Sequence, residues 1–153
     1  MVEAAATKSF HHQKVTAMKI NKENLPVAME APGTVMRNAA GFGGMAAAFN
    51  QVPKGTDLRP LLQGLSNDSC HCPHWGYILK GAIRIIYDDK SEEVAREGDL
   101  FYWPAGHTAV VEEDTKLVEF SPEREFRDVM EHIGRKMAEA GQRIPKGVTR
   151  EPR

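Results

Sequence analysis

Short β-strand signals separated by turn signals follow one another at close, even spacing from Tyr77 to Phe120, and this succession constrains the fold most strongly. Each break between strands contains Gly, Asp or Pro, which are common turn formers, and the runs are rich in β-branched and aromatic residues. The predicted strands cover residues 77–79, 82–87, 93–96, 100–103, 108–111 and 116–120. Many short strands at such spacing are typical of a β-sandwich or β-barrel.

Two further strands are predicted upstream, over residues 34–39 and 45–52, joined by a glycine-rich connection at 41–44. No helix start follows these glycines, so the sequence favours a hairpin turn over a phosphate-binding loop. A weaker pattern allows a short strand over residues 15–20. Residues 58–65 are apolar but contain Pro60 and Gly64, which indicates an irregular segment at a sheet edge.

The hydrophobic period changes after residue 120 and predicts a C-terminal helix of about 19 residues. Ser121 is the expected N-cap, Pro122 the first helical residue and Gly141 the C-terminal cap. The apolar side chains recur at helical spacing on one face: Phe126, Val129, Met130, Ile133 and Met137. We expect this stripe to pack on the outside of the barrel or on a partner subunit.

Composition narrows the functional classes. The chain has 153 residues, a formal net charge of -1 and 41% hydrophobic residues, which suits one ordinary globular domain. This charge offers no basic surface for nucleic acid, and no apolar run approaches the roughly 20 residues needed to span a membrane. No signal peptide is apparent, and two cysteines only two positions apart are poorly placed for a disulfide. We therefore expect a cytoplasmic protein with free thiols.

The segment Cys70-His71-Cys72-Pro73-His74 contains four potential metal ligands, and His107 follows a tight turn about thirty residues later. Because side chains alternate along a strand, Cys70, Cys72 and His74 are expected on one face and His71 on the other. With His107 they would form a site of two thiolates and two imidazoles, which suits zinc first and iron second. Four such ligands would make a closed structural site, whereas three would leave a position for water or substrate. The alternative is a pair of buried, reduced cysteines without metal.

Four aromatic residues flank these potential ligands and are expected to line a small-molecule pocket: Trp75, Tyr77, Tyr102 and Trp103. The alternative for each is ordinary packing in the barrel core.

The same two regions resemble the motifs of the cupin superfamily, over roughly residues 45–120. The second cupin motif has its spacing here in Gly98, five further residues and then Pro104-Ala105-Gly106. In the first motif a glycine and five residues precede a histidine, and here Gly64 and five residues precede Cys70. The chain departs from the consensus in three places. The consensus glutamate of the first motif is absent, and His74 stands at or near its position. Cysteines stand at positions 70 and 72 instead of histidines, and the consensus histidine of the second motif falls on Ala109, with His107 two positions earlier.

The resemblance implies an all-β fold, a cupin-like double-stranded β-helix or jelly-roll barrel, here with a C-terminal α-helix. We divide the chain into a loose segment 1–14, a barrel 15–120, a helix 121–141 and a tail 142–153. The implied function is a metal-dependent small-molecule enzyme of oxygenase, isomerase or lyase type, with one divalent metal ion at the barrel mouth. The alternatives are a non-catalytic barrel that binds a small ligand and a barrel with a structural zinc. The resemblance and the apolar helix stripe also lead us to expect a homodimer.

Overall fold

The computed structural model describes residues 18–142, so the segment expected over residues 1–14 and the tail from residue 143 lie outside the described range. Nine strands and two α-helices make up the described fold, with 3₁₀ turns at Lys22–Asn24 and Ser66–Asp68. The strands are β1 Val27–Ala31, β2 Thr34–Phe42, β3 Met45–Val52, β4 His74–Lys80, β5 Ala82–Tyr87, β6 Glu92–Arg96, β7 Leu100–Trp103, β8 His107–Val111 and β9 Thr115–Pro122. The helices are α1 Arg59–Leu62 and α2 Glu123–Gln142.

The strands form two antiparallel sheets that enclose an apolar core. One sheet has the order β1-β2-β3-β9-β4-β7 and the other the order β6-β5-β8. Side chains from both sheets fill the space between them, among them Val52, Ile78, Ile83, Ile85, Trp103, Val111 and Leu117. The predicted all-β architecture is confirmed.

Local sequence signals locate most strands closely. The strands predicted over residues 82–87 and 100–103 coincide with β5 and β7. The predicted hairpin is formed by β2 and β3, where Phe42 pairs with Met45 across a two-residue turn. Gly43 and Gly44 both have positive φ, +62° and +83°, which is the backbone that the favoured two-residue hairpin turns require.

Three predictions outside the main strand region need correction. Residues 58–65 contain a short helix, α1, because Pro60 lies in its first turn, where its missing N–H costs nothing. Strand β1 was not expected, and it pairs only with β2 at the sheet edge. Residues 18–20 of the strand predicted over 15–20 are not extended into a sheet, and the other three lie outside the described residues.

The C-terminal helix begins at Glu123, one residue after the predicted first helical residue, Pro122. Ser121 and Pro122 belong to β9, where they pair with β3, and helix α2 starts at Glu123. The prediction that Ser121 caps the helix is therefore wrong; its hydroxyl instead bonds the ring of His74. Gly141 lies inside the helix. None of the helices among the described residues is long and apolar enough to cross a membrane.

The apolar stripe of α2 packs on its own barrel. Phe126, Val129, Met130 and Ile133 are buried against α1 and β3, in a cluster that also contains both cysteines. The sequence predicted that this stripe packs either on its own barrel or on a partner subunit, and the contacts that the structure describes are with its own barrel. Helix α2 thereby closes one end of the space between the sheets.

Candidate metal centre

A cavity of about 190 Å³, partly open to solvent, lies between the two sheets, with α1 and α2 across one end. Most of its wall is aliphatic or methionine side chains, contributed by both sheets and both helices. The lining residues that carry polar side-chain atoms are Thr34, Asn50, Thr56, Cys70, His74, Trp103, His107, Thr108 and Glu119. Three of the four predicted metal ligands therefore face this cavity.

Cys70 and His107 are held side by side by their backbones. They form an isolated antiparallel bridge in which the Cys70 N–H donates to the His107 carbonyl at 2.7 Å. The Gly106 N–H donates back to the Cys70 carbonyl at 2.8 Å. Gly106 has φ of +92°, and a Cβ at this position would lie 2.8 Å from a carboxylate oxygen of Asp88. The tight turn before His107 thus needs glycine to bring the histidine opposite the cysteine.

His74 completes the group from the first position of β4, where it pairs with Trp103 of β7. Its Nε2 lies 3.6 Å from the Sγ of Cys70, and the rings of His74 and His107 have their centroids 5.2 Å apart. One ligand atom from each of Cys70, His74 and His107 lies within 4.8 Å of the other two, and all three residues are buried.

Both imidazoles are oriented by hydrogen bonds through Nδ1. The His107 Nδ1–H donates to the Pro104 carbonyl at 2.7 Å, which leaves the lone pair on Nε2. Nε2 of His74 lies 3.6 Å from the Sγ of Cys70, and Nδ1 of the same ring is hydrogen-bonded to the Ser121 hydroxyl at 2.6 Å. Metal-binding histidines are held in this way, with the second ring nitrogen bonded to a carbonyl or another oxygen.

The distances in this group fit a transition metal. Zn–S and Zn–N bonds of about 2.3 and 2.0–2.1 Å at the tetrahedral angle separate sulfur from nitrogen by about 3.6 Å. The Sγ–Nε2 distance between Cys70 and His74 has this value, 3.6 Å. The remaining distances, which reach at most 4.8 Å, need side-chain shifts of only about 1 Å.

Cys72 lies outside the group of three. The strand alternation that predicted it on the same face as Cys70 and His74 is wrong here, because residues 71–73 are not in a strand and the chain bends at Cys72. Its Sγ lies 3.5 Å from the Pro73 carbonyl oxygen, and it packs in the cluster under α2. His71 is exposed, with Nε2 2.6 Å from the Ser66 carbonyl oxygen, on the side away from the cavity as predicted.

Burial sets the protonation states around the group. It raises the pKa of the Cys70 thiol to about 12 and also raises the pKa of Cys72. It lowers the pKa of His74 to about 4, and burial together with the neighbouring His74 lowers the pKa of His107 to about 4. At neutral pH the imidazoles are therefore uncharged and ready to ligate, whereas the thiol must lose a proton to do so.

A buried carboxyl that no sequence motif indicates, that of Glu119 on β9, lies next to this group. Its Oε2 lies 3.9 Å from Nδ1 of His74, and the Asn50 amide donates to its Oε1 at 3.3 Å. Burial raises the pKa of Glu119 to about 7. Strand alternation offered a signal for it, since an inward Leu117 on β9 also turns Glu119 and Ser121 inward.

The four aromatic residues expected to line the pocket are divided between the two faces of the sheet. Trp103 lines the cavity and is 3% exposed. Trp75, Tyr77 and Tyr102 lie on the outer face, 42%, 40% and 53% exposed, and Trp75 stacks on Tyr102. This placement corrects the expectation for these three, because the inward position of His74 and Trp103 turns their strand neighbours outward.

Comparison with known proteins shows similarity to solved structures alone. No protein-family model and no curated protein matches the chain. An RmlC-like cupin from Shewanella frigidimarina is 18% identical, with 75% of this chain and 98% of that chain covered and a TM-score of 0.53. Bacillus subtilis oxalate decarboxylase, which has Mn(II) centres, is also 18% identical, with 72% of this chain but only 30% of that chain covered and a TM-score of 0.50. KdgF from Halomonas sp. is 19% identical, with 74% and 99% covered and a TM-score of 0.48.

The RmlC-like cupin and oxalate decarboxylase, with TM-scores of 0.53 and 0.50, show the class of fold. The chain has the cupin jelly-roll fold with a C-terminal helix, and the resemblance to the cupin superfamily is confirmed at the level of the fold. Within this fold, the described residues include a possible metal site of one cysteine and two histidines.

Proposed function

We propose that this protein is a metal-dependent enzyme acting on a small molecule inside the barrel, with Cys70, His74 and His107 as the ligands of one divalent metal ion. The observation that carries the proposal is the position of the three ligand atoms on the wall of a cavity inside the barrel. Three protein ligands leave a coordination position free, and catalytic zinc sites have this arrangement with water or substrate in the remaining position.

The donor set favours zinc first and iron second. Thiolate and imidazole ligands suit zinc, whereas non-haem iron sites of this size usually combine two histidines with a carboxylate. The Mn(II) centres of oxalate decarboxylase accompany a similar fold. Manganese prefers oxygen ligands, however, and the thiol of Cys70 makes it a weaker fit here.

A bound metal ion would act as a Lewis acid on a substrate oxygen or on water. The chain itself supplies Glu119 as a proton acceptor beside the site: burial raises the pKa of this carboxyl to about 7 in metal-free protein, and a bound cation would favour its ionised form. Asn50 holds one oxygen of this carboxyl by a hydrogen bond and so fixes its orientation. The mainly aliphatic wall of the cavity gives both groups a largely apolar environment.

Two alternatives predict different metal stoichiometry and coordination. A structural zinc would need Cys72 as a fourth ligand. This alternative is tested because Cys72 is buried and lies two residues from Cys70. A non-catalytic barrel would keep the cavity and bind a ligand without a metal.

The test is the metal content of untagged protein purified without chelators, measured by mass spectrometry. We expect about one equivalent in the wild type, a large loss in a Cys70→Ser variant and little change in a Cys72→Ser variant. The two variants make the same chemical change at buried cysteines two positions apart, so Cys72→Ser controls for general damage to the fold.

The same preparations loaded with cobalt report the coordination. An open position predicts a visible spectrum that changes when azide is added, whereas a site closed by four side chains predicts no change. Metal loss in both cysteine variants with an azide-insensitive spectrum would favour the structural zinc. Folded wild-type protein that accepts no metal would refute the enzyme proposal and leave the ligand-binding barrel.

A further inference from the structure

Among residues 18–142, which the structure describes, the side chains that line the cavity include no lysine or arginine. Glu119 is the one acidic residue among them. Proteins that bind carboxylates or phosphates usually supply arginine or lysine for them, and transfer of an unpaired anion into an apolar cavity is costly. A ligand with a negative charge would therefore meet no cationic side chain of the types that usually bind it.

The polar groups in the cavity are also too few for a sugar. A polyhydroxylated molecule carries many donors and acceptors, each of which costs free energy if it is buried without a partner. Most of the polar side chains that line the cavity are already hydrogen-bonded within the protein, and the rest of the wall is mainly aliphatic. A ligand with a mainly hydrocarbon body and one or two polar atoms matches this wall.

Two buried polar atoms provide a more specific indication. Among the described residues, the side-chain nitrogens and oxygens that are buried without a hydrogen-bond partner are Nε1 of Trp103 and Oγ1 of Thr108. Both residues line the cavity. Buried polar groups in folded proteins are rarely left unpaired, and indole nitrogen can only donate, so Trp103 needs an acceptor.

The size of the cavity limits the ligand further. Its volume is about 190 Å³, and an apolar cavity of about 150 Å³ accommodates benzene. A six-membered ring with a few additional heavy atoms therefore fills the available space.

We infer that the cavity binds a small, uncharged molecule with a mainly hydrocarbon body and a carbonyl or hydroxyl oxygen that accepts the Nε1–H of Trp103. This inference rests on the proposed function in assigning a small molecule to the cavity, and it names the class of that molecule. It does not depend on the metal, because it is argued from the residue types that line the cavity, from the cavity volume and from the unpaired indole N–H of Trp103.

Three probes of similar shape test the inference in ligand-detected NMR titrations: benzamide, benzoate and toluene. Benzamide is neutral with an acceptor oxygen, benzoate has nearly the same shape with a charge, and toluene has no acceptor. We expect benzamide to bind, and benzoate to bind at least about tenfold more weakly. Each titration is carried out with metal-free protein and with zinc-loaded protein.

Trp103→Phe tests the role of the indole donor. It removes the N–H and keeps an aromatic ring, so we expect benzamide to bind about threefold to tenfold more weakly and toluene to be affected less than about twofold. The matched control is Trp75→Phe, the same substitution at the exposed tryptophan of β4, and it should leave all three affinities unchanged.

Benzoate that binds metal-free protein as tightly as benzamide does would overturn the inference, as would failure of all three probes to bind. Benzoate that binds tightly only after zinc loading would also overturn it, while supporting the metal site. An equal loss of benzamide affinity in both tryptophan variants would refute the role of Trp103. If benzamide binds selectively but the protein accepts no metal, the ligand class stands and the enzyme proposal fails.

Discussion

Metal affinity should increase tenfold for each unit of pH between about 7.5 and 8.5, and the protonation states of the ligands explain why. Burial raises the pKa of Cys70 to about 12, so the thiol is protonated throughout this interval and must release its proton to bind a metal. His74 and His107, with pKa values of about 4, are already neutral. One proton is therefore released for each metal ion bound, which corresponds to about 1.4 kcal/mol per pH unit.

The interval is chosen so that the neighbouring carboxyl does not contribute. Glu119, with a pKa of about 7, is mostly ionised above pH 7.5 and its protonation changes little on metal binding there. Below pH 7 a nearby cation also displaces the proton of this carboxyl, and the dependence should become steeper. A Glu119→Gln variant should lose this additional steepness and keep the slope of one above pH 7.5.

The measurement is a competition titration of zinc against a chelator of known pH dependence. Calorimetry in two buffers with different ionisation enthalpies counts the released protons independently. Cys72→Ser should keep the slope of one. Cys70→Ser should bind more weakly and lose the pH dependence, because the remaining histidine ligands have no proton to release in this interval.

Two results would refute this reasoning. A slope near zero in the wild type would show that no buried thiol is deprotonated on binding, and Cys70 would not be a ligand. A slope near two that falls to one in Cys72→Ser would show that both cysteines bind as thiolates, and the site would be the closed, structural one.

Three further predictions concern the stability of the metal-free protein, its affinity for zinc and its oligomeric state. In metal-free protein, burial raises the pKa of Glu119 from 4.5 to about 7. The free energy of unfolding of the wild type should therefore fall by about 3 kcal/mol relative to that of Glu119→Gln as the pH rises from 4.5 through 7. Denaturation of both proteins at pH 5 and pH 8 tests this, and an equal change in the two free energies of unfolding would refute it. Ser121→Ala removes the hydrogen-bond partner of His74 and should weaken zinc binding about 10–100-fold without loss of the fold, as measured by chelator competition and circular dichroism. The homodimer expected from the cupin resemblance should give about twice the chain mass of 17.0 kDa in sedimentation equilibrium, and a mass near 17.0 kDa would contradict it.

The barrel strands could be predicted from the sequence because their signals are local. The β-branched run of β5, the aromatic run of β7 and the paired glycines between β2 and β3 each determine their own backbone. The helical stripe of α2 could be predicted for the same reason, since its period depends only on neighbouring turns. Three residues of the candidate site were also available from residue type and motif: Cys70, His74 and His107.

The tertiary structure alone decided which polar groups meet. The local sequence predicts that Ser121 caps a helix, but the pairing of β9 with β3 keeps this residue in a strand. Its hydroxyl therefore lies beside the ring of His74. Strand alternation predicts Cys72 as a ligand, but residues 71–73 are not in a strand and the chain bends at Cys72. Glu119 lies within a strand without a local chemical motif, and it became visible only when β9 took its place between β3 and β4. Periodicity is a property of adjacent residues, so the sequence by itself determined the strands and the candidate ligands. A site depends on how strands that are distant in the sequence pack around it. For this reason only the barrel determined the cavity and its buried carboxyl.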